Sequence, residues 1–142
     1  MAVQSSPVLP QTPKINSVQF TTTAAAASSL TLYNGGPNGS KITSISATNS
    51  STQSLGTRLN FVSSTPTTFI VNTISTPINA GIDGVTQPSN LMGTSFSALP
   101  IDGDGNQYLF LTSSLQSISI TITASIQVAG GFLNVTAIGA DF

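Results

Sequence analysis

Histidine, cysteine, glutamate and tryptophan are all missing from this 142-residue chain, and its charged side chains are Lys14, Lys41, Arg58, Asp83, Asp102, Asp104 and Asp141. Without imidazole or thiolate there is no soft-metal ligand set, no Cys/His or Ser/His nucleophile pair and no disulfide framework. Four aspartates with no His or Glu to part their pKa values argue against acid/base catalysis, so neither an enzyme nor a cofactor is expected. Charged residues make up 5% of the chain, against roughly 25% in an average soluble protein. A net charge of -1 supplies no basic field to grip nucleic acid. No run approaches the roughly 18 apolar residues of a membrane helix. The first eleven residues lack the basic and apolar regions of a secretory signal, which argues against export. A free monomer this poor in charge is weakly protected against self-association. That points to a permanent assembly, although Ser, Thr, Asn and Gln can also keep a surface wet.

What is abundant is alternation. Ile118, Ile120, Ile122, Ala124, Ile126 and Val128 alternate with Ser117, Ser119, Thr121, Thr123, Ser125 and Gln127. A period of two sends the apolar set to one face of a sheet and the hydroxyls to the other, so the pattern predicts one long strand over 116–128. At about 3.3 Å per residue it would run roughly 40 Å. Burying its apolar face requires a second layer.

Shorter strands are predicted around Val18 and Phe20, Leu30 and Leu32, and over 41–47, 55–62, 68–74 and 132–139. Residues 24–27 read as a soft passage, helical or bulged, and 79–95 as a long connection with room for a short helix. Tyr108-Leu109-Phe110-Leu111 is apolar at every position, as in a strand covered on both sides. The loop Asn34-Gly35-Gly36-Pro37-Asn38-Gly39 is the strongest turn signal, its glycines and asparagines tolerating positive φ. About eight strands with almost no helical periodicity predict one all-β domain over 15–142, a jelly-roll-like β-sandwich.

Residues 1–14 read as an extended arm. Pro7, Pro10 and Pro13 recur every third position, fixing φ and removing backbone donors. The segment is either a loose terminus or, in the sharper reading, a clasp in which Val3, Val8 and Leu9 dock on a neighbour. Val3, Pro7, Val8, Leu9, Pro10 and Pro13 are therefore the candidate contacts.

Other motifs carry less. Asp102-Gly103-Asp104-Gly105-Asn106 has the alternating oxygens of a calcium loop but no bidentate Glu, so a plain turn is expected and no metal. Sequon matches at Asn38, Asn49 and Asn134 are chance products of an Asn-, Ser- and Thr-rich chain. Tyr33, Tyr108, Phe96 and Phe110 could stack on sugars or bases, but alternation places Phe110 in the core.

Four segments in order, residues 34–42, 81–91, 99–111 and 135–142, resemble a family of small structural proteins encoded by tailed bacteriophages and prophages. The similarity covers about residues 30 to 142. It implies a β-sandwich decoration or cement protein of the virion, made in the bacterial host cytoplasm and placed on the capsid surface. Its implied partners are the major capsid protein and copies of itself, a homotrimer matching threefold positions, with no nucleic acid or membrane. The alternatives are a host-recognition, glycan-binding module of a head or tail fibre, and a tail or connector component.

Overall fold

Alternating β-branched stretches become ladders wherever a partner of matching length is present. The computed structural model describes residues 12–92 and 99–142. Its strands are β1 (Thr12–Thr21), β2 (Ser29–Asn34), β3 (Ser40–Asn49), β4 (Leu55–Val62), β5 (Thr68–Thr76), β6 (Ser89–Asn90), β7 (Leu109–Leu111), β8 (Ser117–Ile122) and β9 (Phe132–Asp141). The first sheet has the order β1-β9-β3-β6, with β7 also on β3, and the second the order β2-β8-β4-β5; every pairing is antiparallel. The chain passes from sheet to sheet in the pattern of a jelly roll. Nine strands appear because one position is split: β6 meets β3 at Ser46 and Ala47, and β7 meets it at Ser40, Lys41 and Ile42. Together they occupy a single edge, interrupted by the excursion between them.

The core lies between the sheets. Ile42, Ile45, Ala47, Leu133, Val135 and Ala137 of the first sheet and Leu55, Leu59, Ile118, Ile120 and Ile122 of the second are fully buried in one cluster. Each large aliphatic side chain so buried stabilises the fold by about 1.5–3 kcal/mol. Asn49 is also fully buried; its amide donates to the carbonyls of Gln53, Thr76 and Pro77 at 2.9, 3.1 and 3.1 Å. The sequon match there is a structural clamp.

Several expectations are corrected. The paired length of β8 ends at Ile122, where β2 runs out: β2 begins at Ser29 opposite Thr121, while β4 continues past Thr57 to Leu55 and its Gly56 carbonyl still accepts from the Thr123 amide. Alternation still governs burial beyond that point, so Ile126 is buried outside any strand. Residues 12–14, grouped with the arm on sequence, begin β1; Thr12 faces Asp141 and Pro13 faces Ala140. An edge strand tolerates a proline. Val3, Pro7, Val8, Leu9 and Pro10 lie outside the described residues, as does Phe96. The passage at 24–27 is a turn with Ala27 at φ 64°. No helix forms among the described residues of 79–95, where Leu91 and Met92 turn into the core instead. β7 is covered on one side alone: Leu111 is buried and Phe110 is 49% exposed.

Candidate interaction surface

One end of the sandwich is tied by a polar cluster built around Asp141, the last residue of β9. Its Oδ1 accepts from the Tyr33 hydroxyl at 3.2 Å and from the Ser40 hydroxyl, and its Oδ2 pairs with Lys14 Nζ at 3.3 Å. Lys14 also donates to the Asn34 carbonyl at 2.8 Å and lies 4.6 Å from the centre of the Tyr33 ring. The Gly36 amide donates to Ser40 Oγ at 2.8 Å, and Phe142 donates its amide to the Gly39 carbonyl at 3.1 Å. The turn at 34–39, the start of β1 and the carboxyl end of β9 are thereby bound together. Two of the loop's glycines are there for close approach rather than for positive φ. A Cβ on Gly35 would stand 2.2 Å from the Ser113 carbonyl oxygen, and one on Gly36 would stand 2.8 Å from the Asp141 side chain. In this run positive φ falls on Gly39, at 101°.

Burial works against the charge on Asp141, but the Ser40 hydroxyl, Lys14 and the Tyr33 hydroxyl outweigh it and hold the carboxyl below its usual range. Burial, then the adjacent Asp141 charge, pushes Tyr33 from 10.0 up to about 12. A raised folded pKa means stability that is complete below pH 10 and is lost as pH rises toward 12. At 1.36 kcal/mol per unit, the loss is about 3 kcal/mol. The parent protein should therefore lose melting temperature between pH 10 and 12, and Tyr33→Phe should lack that part of the decline. Parallel curves for the two proteins would show that Tyr33 is not held in this way.

Beside the cluster, the outward face of the first sheet carries an apolar corner. Register places Phe110, Lys41, Ala140 and Pro13 in one cross-strand row, with Ser44, Ile138 and Ile15 in the next. Phe110, Ile138 and Ile15 are 49%, 45% and 67% exposed. Phe110 packs edge-on against Tyr108 at 4.9 Å and lies 5.9 Å from the Phe142 ring. Lys41 sits 4.7 Å from the Tyr108 ring centre and 3.8 Å from Asp102, so the positive charge at this corner is engaged. Farther along the same face the rows become polar: Ser17 bonds Thr136 and Gln19 bonds Asn134, each at 2.9 Å.

The second sheet offers a different outward face. Asn60 reaches Thr121 at 2.9 Å and stands opposite Ile70, which is exposed, as is Phe69 at the rim. Arg58 belongs to this face, opposite Thr73 and Thr121, and takes part in neither ion pair seen among the described residues.

The chemistry available is that of contact. Asp102 accepts from the amides of Asp104 and Asn106 at 3.1 and 2.9 Å, so its carboxylate closes its own turn. Asp83 does the same with Val85 and Thr86, at 2.9 and 2.7 Å. Among the described residues no group of three or more Asp, Glu, His or Cys is placed to hold a metal. Of the sequence candidates among the described residues, Pro13 shares a cross-strand row with Phe110, against which Tyr108 packs, while Tyr33 is buried in the Asp141 cluster. Sequence reasoning missed Ile15, Ile138 and Phe142. For Ile15 and Ile138 the signal was an apolar residue at the polar phase of β1 and β9, whereas Phe142 lies just beyond the last strand.

Neither a family model nor a curated protein sequence matches the chain. Among solved structures the chain is similar to one from the cyanophage Pam1 capsid asymmetric unit, at 12% identity and a TM-score of 0.49, over 99% of this chain and 94% of that one.

Proposed function

We propose that the protein is a bacteriophage capsid decoration, or cement, protein that binds the outside of the head and stabilises the lattice of the major capsid protein. The observation that carries this reading is the pair of opposed contact faces on a nearly uncharged sandwich. The corner around Phe110, Ile138 and Ile15 belongs to one sheet, and Ile70 with Arg58 to the other. The outward faces of a sandwich point away from each other, which suits a subunit that bridges two neighbours. The ordered resemblance over 34–42, 81–91, 99–111 and 135–142 supports the virion origin. The mechanism is linkage: a partner that binds the assembled lattice and not its separated subunits stabilises the lattice without catalysis or cofactor. Modest contacts suffice when several engage at once.

A glycan-binding module is the second reading. A cleft of about 270 Å³ lined by Thr43, Ser44, Asn90, Asn106 and Gln107, with Met92 and Ile101, opens on the first sheet. Neutral amides and hydroxyls of this kind can pair with sugar hydroxyls. Copy number separates the two. Quantitative mass spectrometry of purified virions should give a fixed lattice-scale ratio to the major capsid protein. A handful of copies per particle would instead indicate a fibre, tail or connector position.

A further inference from the structure

We propose that the apolar corner of the first sheet is the seat for the amino-terminal segment of a second copy of this chain, residues 3–9 carrying Val3, Val8 and Leu9. Two features of the molecule select that occupant. The first is where the described chain begins. Thr12 pairs with Asp141 at the rim of the sheet, and the two rows nearest that rim are the apolar ones, Pro13 with Ala140 and Phe110, then Ile15 with Ile138. The eleven residues ahead of Thr12 in the sequence span up to about 40 Å when extended, more than the width of four strands at about 4.8 Å spacing. The second is chemical match. Residues 2–11 contain no charged side chain, and Lys14 and Lys41 at the corner are occupied by Asp141 and Asp102. An uncharged apolar segment can therefore dock with no ion left unpaired.

Proline chemistry favours a second copy over the same one. Ser6, Leu9 and Thr12 each precede a proline, which biases each toward extended backbone, while Pro7, Pro10 and Pro13 fix φ. An extended backbone in line with β1 would put position 9 about 10 Å beyond the rim, out of reach of its own corner and free to meet that of a second copy. Segment-to-corner contact is head-to-tail, and three such contacts close into a ring. Self-association of this kind needs no capsid, so its failure would leave the proposed function standing.

Sedimentation velocity at tens of micromolar tests it with the full chain, a chain beginning at Thr12, and the surface variants Ile138→Asp and Ile15→Asp. The full chain should sediment at a multiple of the monomer mass. The shortened chain and each variant should fall to monomer mass with the cooperative melting of a folded domain. Mixing the shortened chain, which keeps the corner, with Ile138→Asp, which keeps the segment, should restore a one-to-one pair that neither forms alone. A monomeric full chain, a shortened chain that keeps the parent mass, or a mixture that stays monomeric would each overturn the proposal. Ile15→Asp, on the other strand of the corner, guards against misfolding of Ile138→Asp: parent mass in a folded Ile15→Asp would also overturn it.

Discussion

Ile122→Asp should abolish cooperative folding or lower stability by about 4 kcal/mol or more, while Thr123→Asp, one residue on, should cost less than about 1 kcal/mol. Ile122 is fully buried at the end of β8, among Leu55, Leu59 and Ile120. A carboxylate there would have neither water nor a cation: the residue opposite, Thr57, is buried, and its hydroxyl is already paired with that of Thr76 at 3.0 Å. Thr123 has left the ladder; its amide still donates to the Gly56 carbonyl at 2.9 Å, but its side chain is exposed. Urea unfolding of the two variants checks the contrast. Equal tolerance would mean that the inner face of β8 is not core, and equal collapse would mean that the side chain of residue 123 is packed as well.

Asp141→Ala should lower stability at pH 7 by about 3 kcal/mol, the scale for removing a charged acceptor from partly buried donors. Tyr33 is 0% exposed and would lose its acceptor, Ser40 would lose one, and Lys14 would lose its ion pair. The pH dependence identifies the cause. Because the folded pKa of Asp141 is depressed, its contribution is complete above the unfolded value near 3.9 and is lost as pH falls through the lower folded value. The gap between parent and variant should therefore be constant from about pH 7 to 5 and shrink below about pH 4. Asp83 and Asp102, depressed chiefly by backbone amides of their own turns, are common to both proteins and drop out of the difference. A gap unchanged at acid pH would assign the effect to packing rather than to charge.

The layers of this fold were legible because burial follows side-chain phase. The alternation around Ile118, Ile120 and Ile122 placed the core, and the runs at 55–62 and 132–139 became β4 and β9 nearly to the residue. Ladder length was less legible, since it depends on partners distant in sequence. Ile126 keeps the burial of the pattern without the strand, because neither β2 nor β4 extends that far. Phe110 was assigned to the core on local pattern, yet β7 occupies part of an edge whose outer side has no covering layer. Gly35 and Gly36 looked like turn residues for their φ freedom, whereas the Ser113 carbonyl and Asp141 side chain set the requirement. The Asp141 cluster joins Lys14, Tyr33 and Ser40 across more than a hundred residues of chain, a juxtaposition created by the β1-β9-β3 order of one sheet together with β2 of the other.

The most direct test of the decoration reading is to return the purified protein to phage heads stripped of it. Bound protein is measured by co-sedimentation, and lattice strength by the temperature at which packaged DNA is released. Saturable binding to the heads, together with a rise in release temperature that follows occupancy, is the expected result. Heads that neither bind the protein nor gain thermal resistance at saturating concentration would contradict the reading.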